Sequence, residues 1–325
     1  MPLTADRAAG VTLEDVRAAA RVLEGVVVRT PLVEVPALTA RAGVPVFLKC
    51  EQLQPVGAFK IRGAYNAVSR VARAAGTRGV VTQSSGNHGQ AVAFAARAFG
   101  LRAVVVMPES TPGIKVDGVR RHGGEVVFAG AVRSSEQLQR AEAIAFDQGL
   151  AMIPPFDHPD VVAGQGTCGL EIVEQCPGVD TILVPVSGGG LLAGISVAVE
   201  GLRPAVRVVA VEPAGAAKLT AALDAGAPRT LERTESMADG LLTRSIGTFT
   251  FPIIRRMVRE AIQVTEDEIA AAVRFLHRSA GLRVEPSGAV TTAAILAGHA
   301  RLAGPTVAVV SGGNVDPDLF HRLAG

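Results

Sequence analysis

The sequence has no tryptophan, one tyrosine and only three cysteines, Cys50, Cys168 and Cys176. So few aromatic side chains argue against a surface on which nucleic-acid bases stack. The cysteines form neither a C-x-x-C pair nor an even set, which is typical of a reducing compartment and predicts neither a disulfide framework nor a zinc site. No apolar run is long enough to span a bilayer, and the N-terminus lacks the pattern of a signal peptide. We therefore expect a cytoplasmic protein.

Strong charge of either sign is also lacking. The 32 basic and 30 acidic residues leave a formal net charge of +2. The basic residues are spread along the chain, which argues against partners such as nucleic acid or a membrane surface. A length of 325 residues with 48% hydrophobic residues exceeds one compact core and is typical of two globular domains.

Short apolar segments alternate with helical patterns along most of the chain. Predicted strands lie at 46–49, 79–82, 103–107, 125–128, 181–186, 208–211 and 306–310, and predicted helices at 12–24, 88–99, 113–121, 134–146, 191–199 and 265–277. Strands separated by helices of this length predict parallel sheets of the α/β class. Thr12 and Thr265 are candidate N-caps, and Thr265 with Glu268 matches a capping box. The segment 227–250 has no regular pattern and is expected to be a surface loop.

Lysine is scarce, because four of the 32 basic residues are lysines: Lys49, Lys60, Lys115 and Lys218. Lys60 follows the turn formers Pro55 and Gly57 at the start of a predicted helix. A desolvated lysine can lose its proton and form a Schiff base, whereas arginine stays protonated. Taken alone, a lysine at this position is more often a cation at a helix end than a catalytic group.

A glycine-rich loop, Ser187 to Gly190, joins the strand 181–186 to the helix 191–199. Backbone N–H groups and the helix dipole at such a turn favour an anion, and a phosphate is the natural ligand. Two alternatives stay open on this loop alone. One is a tight turn without a ligand. The other is a nicotinamide site, because Gly188, Gly190 and Gly194 approximate a dinucleotide fingerprint and Glu212 ends the next strand.

A second loop, from Ser84 to Gln90, gathers hydroxyls, an amide and backbone N–H groups at a predicted helix start. Such a set can bind a carboxylate. His88 taken alone is more typical of a structural histidine than of a catalytic one. A nicotinamide site would explain neither this loop nor Lys60.

Together these residues resemble the fold-type II pyridoxal-phosphate (PLP) enzymes, in particular the group of threonine/serine dehydratases and serine racemases. The resemblance rests on seven motifs in order, over nearly the whole chain. They are FKIRGAYN (59–66), SSGNHGQ (84–90), AGQGT (163–167), SGGGL (187–191), ADG (238–240), VEPSGA (284–289) and SGGN (311–314).

The resemblance implies two three-layer α/β domains with mainly parallel sheets, of the tryptophan synthase β-like type. A large cofactor-binding domain would comprise residues 1–70 and 152–325. A small domain, residues 71–151, would close over the substrate. Relatives also imply a homodimer or homotetramer.

The resemblance also implies roles for individual residues. Lys60 would carry the Schiff base with pyridoxal 5'-phosphate, and Ser85 matches the second proton-transfer group of the racemases. Asn87 is expected at the ring's 3-hydroxyl oxygen and Ser311 at its nitrogen. The implied cofactor-binding residues are Phe59, Lys60, Asn87, Ser187, Gly188, Gly189, Gly190, Leu191, Gly240, Glu285 and Ser311. The implied substrate-binding residues are Ser84, Ser85, Asn87 and His88.

Three departures from the family pattern stand out. Ala58 replaces a frequent serine, and Pro154 replaces a frequent histidine. Racemases and some dehydratases bind a divalent cation through a glutamate, a carbonyl four residues later and an aspartate six residues later. The matching positions here are Glu212, Ala216 and Lys218. Because an ammonium cannot bind a metal, we expect no metal site and hypothesise that Lys218 replaces the cation by pairing with Glu212. The alternative is a solvated helix lysine.

The activity implied is a PLP-dependent ammonia-lyase that converts L-threonine or L-serine to a 2-keto acid and ammonia. A serine racemase, or a lyase for hydroxyaspartate or phenylserine, is the alternative on the same scaffold. A nicotinamide-dependent oxidoreductase and a binding protein without catalytic activity are more distant alternatives.

Overall fold

The computed structural model of the chain describes residues 10–132 and 135–325, which form ten strands and thirteen α-helices. The strands are β1 (Leu32–Glu34), β2 (Val46–Cys50), β3 (Gly79–Gln83), β4 (Arg102–Met107), β5 (Glu125–Phe128), β6 (Ala151–Met152), β7 (Thr181–Pro185), β8 (Arg207–Pro213), β9 (Ala261–Val264) and β10 (Thr306–Val310). The helices are α1 (Leu13–Leu23), α2 (Pro36–Ala42), α3 (Lys60–Ala72), α4 (Asn87–Ala98), α5 (Gly113–Arg121), α6 (Glu136–Gln148), α7 (Pro159–Gln175), α8 (Gly190–Leu202), α9 (Lys218–Ala225), α10 (Thr250–Met257), α11 (Glu266–Ala280), α12 (Pro286–Leu296) and α13 (Pro317–Ala324).

The strands form two sheets. The larger has the order β1-β2-β10-β7-β8-β9, and all its neighbouring strands are parallel except the pair β1–β2. The smaller has the order β5-β4-β3-β6 and is parallel throughout. These pairings confirm the predicted α/β class with mainly parallel sheets.

Helices cover both faces of each sheet, so each unit has three layers. The larger sheet has one core with α1, α7, α8 and α10, and a second core with α2, α11, α12 and α13. The smaller sheet packs against α3, α4 and α5 on one face and against α6 on the other. The central strands β7 and β10 are buried at every residue, which explains why their sequences are nearly all apolar instead of alternating.

The predicted helix starts agree with the structure where capping signals are present. At both Thr12 and Thr265, the hydroxyl accepts a hydrogen bond from the third helical N–H, and the acid at that position accepts one from the threonine N–H. The helix predicted from Ser134 begins at Glu136, and Ser134 itself lies outside the described residues. The N-terminal residues used to predict the absence of a signal peptide also lie outside them. No helix within 10–132 and 135–325 is both long and apolar enough to cross a bilayer.

Six helices, α2, α7, α9, α10, α12 and α13, have no counterpart among the predicted helices. Two of them, α7 and α12, are largely buried and rich in small and apolar residues, so their sequences show no clear 3.6-residue period. In α7, glycine permits close packing, because a Cβ on Gly164 would lie 2.4 Å from the carbonyl oxygen of Arg62 on α3. The segment 227–249 contains one short 3₁₀ turn, Asp239–Leu241, and is otherwise irregular, as predicted.

Candidate active site

Lys60 is the first residue of α3, at the end of the loop that follows β2. This loop is held against the segment after β10, because the N–H of Phe59 donates to the carbonyl oxygen of Ser311 at 3.0 Å and Ala58 forms a β-bridge with Gly312. The ammonium group of Lys60 donates to the carbonyl oxygen of Pro155 at 2.8 Å and lies 5.2 Å from the centroid of the Phe59 ring.

The glycine-rich loop lies next to the Lys60 contact. A Cβ on Gly188 would lie 2.3 Å from the ring of Phe156, the residue after Pro155. The amine of Lys60 and the loop therefore contact two consecutive residues, although they are 128 positions apart in the sequence. Gly189 has φ +97°, which favours glycine, and a Cβ there would lie 2.7 Å from Ile254.

The loop is fixed from the side of α10. The carbonyl oxygen of Gly188 accepts from the N–H of Gly247 at 3.1 Å and from the hydroxyl of Thr250 at 2.8 Å. The Ser187 hydroxyl is 3.1 Å from that of Thr243. No side chain caps the start of α8, and Leu191 in its first turn is buried in the core. The first N–H groups of a helix have no intrahelical acceptor, so this turn can stabilise an anion.

The polar loop 84–88 lies at the start of α4. The hydroxyl oxygen of Ser84 accepts from the N–H groups of Gly86 at 3.2 Å and Gly89 at 3.0 Å, which fixes the loop. A Cβ on Gly89 would lie 2.7 Å from Val105 on β4, so the turn packs tightly against the smaller sheet. The partly buried Ser85 lies between these anchored positions.

His88 is a buried, neutral histidine. Burial and then the charge of Lys60 lower its pKa to about 3. Its Nε2 lies 3.1 Å from the carbonyl oxygen of Ile153, so this nitrogen carries the proton and donates it. Its Nδ1 is buried without a partner among the described residues. The ring therefore joins α4 to the chain after β6 and cannot act as a cation at neutral pH.

Asn87 connects the two sheets. Its Nδ2 donates to Glu285 at 2.7 Å, and its Oδ1 accepts from Asn314 Nδ2 at 2.8 Å. Asn87 begins α4 beside the smaller sheet, whereas Glu285 and Asn314 follow elements of the larger one. Burial, reinforced by the negative charge of Asp239, raises the pKa of Glu285 to about 8, while Lys115 and the Asn87 hydrogen bond oppose the rise. Glu285 is therefore a neutral carboxyl group at pH 7.

The two remaining predicted residues lie around Ser287 at the start of α12. The hydroxyl of Ser311 is 3.4 Å from the carbonyl oxygen of Ser287, and the N–H of Gly240 donates to the Ser287 hydroxyl at 2.9 Å. Ser311 immediately follows β10, and its carbonyl oxygen holds the residue before Lys60. Contacts thus connect the predicted cofactor residues into one region where the two sheets meet.

A buried ionic cluster next to this region was not predicted from the sequence. The fully buried Arg62 binds Glu51 at 2.7 and 2.8 Å and Glu171 at 2.7 and 2.9 Å. Lys49 also pairs with Glu171, at 2.5 Å. Since Arg62 lies two residues after Lys60, the cluster ties the start of α3 to β2 and α7. The scarcity of lysine was a usable signal for Lys49 and also for Lys115, which pairs with Asp239.

The positions that match a divalent-cation site do not fit a metal ion. The ammonium group of Lys218, fully buried, lies 3.7 Å from Glu212 and donates to the carbonyl oxygen of Ala216 at 2.7 Å. Glu212 also accepts from the N–H groups of Leu219 and Thr220, both at 2.9 Å. Burial lowers the pKa of Lys218 to about 8 against the opposing effect of Glu212, so the amine is largely protonated at neutral pH. Across the described ranges, no group of three or more His, Cys, Asp or Glu could hold a metal.

The region around Lys60, in contrast, does fit pyridoxal phosphate. It has an amine at a helix start for the aldehyde and a side-chain-free turn at the start of α8 for the phosphate. It also has a polar network, Asn87 with Glu285, for ring substituents. A side chain at Gly188 or Gly189 would occupy the space beside Phe156 and Ile254, which explains why the turn requires glycine.

Comparisons with known proteins agree with this chemistry. A family model described as "pyridoxal-phosphate dependent enzyme" matches residues 23–313. An L-threonine ammonia-lyase of Thermotoga maritima is 40% identical over 314 residues, which cover 96% of this chain and 78% of that protein. The structure of maize serine racemase has a TM-score of 0.90 at 35% identity and covers 96% of both chains. A pyridoxal 5'-phosphate-dependent aspartate racemase has a TM-score of 0.89 at 34% identity, covering 95% of this chain and 97% of that one.

Proposed function

Because the chain belongs to the pyridoxal-phosphate-dependent enzymes, we propose that it is an ammonia-lyase that eliminates water from L-threonine or L-serine and then, by taking up one water, releases ammonia. The product would be the corresponding 2-keto acid. The proposal rests on one observation above all: Lys60 and the Ser187–Leu191 turn contact consecutive residues at the meeting point of the two sheets. The family assignment decides against the nicotinamide alternative.

Bound pyridoxal phosphate supplies an electron sink that makes the Cα proton of an amino acid acidic. Lys60 would hold the cofactor covalently, with Phe59 beside the ring. Ser187, Gly188, Gly189, Gly190 and Leu191 would hold the phosphate. Asn87, Gly240, Glu285 and Ser311 would surround the ring. The hydroxyl of Ser311, unlike an aspartate, is a poor partner for a protonated ring nitrogen, which favours prompt loss of a β-hydroxyl group.

The polar loop at α4 would hold the substrate carboxylate. Ser84 fixes the loop through two N–H groups, so the other backbone donors at the start of α4 are held in place for an anion. Asn87 and Ser85 would complete this set. His88 keeps the loop in position through Ile153, and its neutral ring leaves Lys60 as the candidate general base for the Cα proton.

A serine racemase is the second candidate. The observation in its favour is the serine at position 85, on the loop that would hold the substrate. A hydroxyl on the face opposite Lys60 could return a proton to Cα from the other side, which inverts the amino acid. The similarity to maize serine racemase supports keeping this reaction in the test. This chain is also similar to an aspartate racemase, whose named substrate has a second carboxylate. The test therefore includes 3-hydroxyaspartate, which has a second carboxylate as well.

The larger organisation is proposed on the same basis. Residues 1–70 and 152–325 would form the cofactor domain and residues 71–151 the closing domain, with a homodimer or homotetramer as the assembly. The three cysteines form no disulfide, which supports a cytoplasmic location. Lys218 would take the place of a divalent cation, so no metal would be required.

The test of the proposed function is product analysis with purified enzyme loaded with pyridoxal phosphate. We expect keto acid and ammonia in equal amounts from L-threonine and L-serine, with hydroxyaspartate and phenylserine as comparison substrates. Chiral analysis of the recovered serine measures racemisation in the same reaction. Inversion of serine faster than keto-acid release would favour the racemase. If neither reaction occurs with any of these substrates, the proposal is contradicted.

A further inference from the structure

A salt bridge at the edge of the candidate site connects a helix of the smaller sheet with the loop between α9 and α10. Lys115 lies on α5, which packs on the smaller sheet, and its ammonium group pairs with the Asp239 carboxylate. Asp239 lies in the short turn Asp239–Leu241 of the loop between α9 and α10. The Lys115 side chain is 11% exposed and that of Asp239 is 46% exposed, so the pair lies at an edge open to solvent.

Lys115 also lies against the loop proposed to hold the substrate carboxylate. A Cβ on Gly86 would lie 3.7 Å from the Lys115 ammonium nitrogen. Gly86 immediately precedes Asn87, the first residue of α4. On the other side, Gly240 follows Asp239 and is held by the hydroxyl of Ser287. The two charges are therefore each next to a residue of the proposed cofactor and substrate site.

The charges also act on the inside of the site. After the dominant effect of burial, Asp239 raises the pKa of Glu285 and Lys115 lowers it. Glu285 accepts the hydrogen bond from Asn87, so both charges influence the polar network at which the two sheets meet. A charged group on a bound substrate would experience the same two charges.

We propose that Asp239, paired with Lys115, makes the enzyme select amino acids whose Cβ carries no carboxylate. This inference rests on the proposed function and names its substrate class. A second substrate carboxylate that reached the loop at Gly86 would be drawn to Lys115, but Asp239 already neutralises that ammonium group and repels a further negative charge. Threonine and serine, with a neutral Cβ hydroxyl, carry no such penalty.

The test compares two substrates in one enzyme loaded with cofactor. We expect Asp239→Asn to raise the ratio of kcat/KM for 3-hydroxyaspartate to that for L-threonine by about tenfold, equivalent to one weak charge interaction. Lys115→Met removes the positive charge and keeps the negative charge of Asp239, so it should lower the same ratio. Glu125→Gln is the matched control, because it breaks the exposed Arg102–Glu125 pair on the smaller sheet and should leave the ratio unchanged.

Two results would overturn the inference. One is an unchanged ratio in Asp239→Asn, including the case in which both substrates lose activity equally, which would make the pair only a contact between the two halves. The other is a change of the kcat/KM ratio in the same direction in Asp239→Asn and in Lys115→Met. Should the wild type release no keto acid from any substrate, the proposed function fails, and selectivity is then measured by binding. The ratio of Kd for L-aspartate to Kd for L-alanine, from the absorbance of the bound cofactor, should fall about tenfold in Asp239→Asn, and an unchanged ratio would overturn the inference.

Discussion

At the scale of single residues, burial sets the ionisation of the groups around the site. Glu285 and His88 are both neutral at pH 7, because desolvation disfavours the charged form of each side chain. The Lys218 amine keeps its proton at neutral pH beside Glu212. The candidate site thus contains a neutral histidine ring near Lys60 and a neutral carboxyl group that is bound to Asn87.

The raised pKa of Glu285 predicts how stability changes with pH. Between 4.5, its ordinary pKa, and about 8, the folded protein holds a proton that the unfolded chain has released. The folded state therefore binds more protons, and this residue makes stability fall as the pH rises through that window. In Glu285→Gln this contribution is lost, so the decrease in Tm between pH 5 and pH 8 should be smaller than in wild type. Identical pH profiles for the two proteins would contradict the raised pKa.

Lys218 gives a prediction about metal ions. In Lys218→Asp, two carboxylates and the Ala216 carbonyl would surround the position of the ammonium group, which is a ligand set that suits calcium or magnesium. We expect millimolar calcium or magnesium to raise the Tm of this variant by several degrees. Neither these ions nor a chelator should shift the Tm of the wild type.

The matched control is Lys218→Met, which removes the charge without adding a ligand and should not respond to either ion. A wild type that loses activity with a chelator and regains it with magnesium would contradict the replacement of the cation by Lys218.

The residues predicted from the sequence belong to local motifs, whereas the residues that were missed form contacts with positions far away in the sequence. Lys60 and the 187–191 turn were identified because a lysine at a helix start and glycines after a strand have local chemical meaning. The Lys115–Asp239 pair joins positions 124 residues apart, so no local sequence pattern predicts it. The pairing of Lys218 with Glu212 was predictable because both belong to one strand–helix connection.

At the scale of elements, the glycine turn between β7 and α8 carries the most specific geometry. Phe156 fills the space beside Gly188, and Thr250 with Gly247 holds its carbonyl oxygen from α10. The turn is therefore shaped by two separate segments, one at Phe156 and one at 247–250. An added methyl group has no room unless the Phe156 ring moves.

Gly188→Ala tests this turn. A Cβ there would meet the Phe156 ring, so we expect the turn to shift and the affinity for pyridoxal phosphate to fall by at least tenfold. Fluorescence or absorbance titration of the cofactor into the purified apoprotein measures this affinity. Gly178→Ala is the control, because a Cβ at this exposed position has no heavy atom within 4 Å. Equal affinities in the two variants would contradict a tightly packed phosphate turn.

Two of the helices that the sequence did not predict, α7 and α12, share a physical reason. Helices at the surface show a polar face, whereas α12 and most of α7 are buried among other elements and lack a continuous polar face. Their small residues serve close packing, as at Gly164 against α3. Elements with capping boxes or strands bounded by glycine and proline were predicted to within a few residues.

At the scale of the whole molecule, the candidate site lies where the two sheets meet. Polar contacts connect the smaller sheet and its helices with the larger ones. They are the hydrogen bonds of Asn87 with Glu285 and Asn314 and the salt bridge of Lys115 with Asp239. The helix α3, which begins at Lys60, packs in the core of the smaller sheet. The boundary at residue 70 therefore stays a prediction, because α3 belongs to the larger domain in that division but shares its core with the smaller sheet.

The proposed function requires a covalent link between Lys60 and the cofactor, and because the chain has four lysines this link is directly measurable. Borohydride reduction of the enzyme loaded with pyridoxal phosphate, followed by digestion and mass spectrometry, identifies the lysine that bears the cofactor. We predict a phosphopyridoxyl group on the peptide containing Lys60. A group found instead on Lys49, Lys115 or Lys218, or on no lysine, would contradict the account.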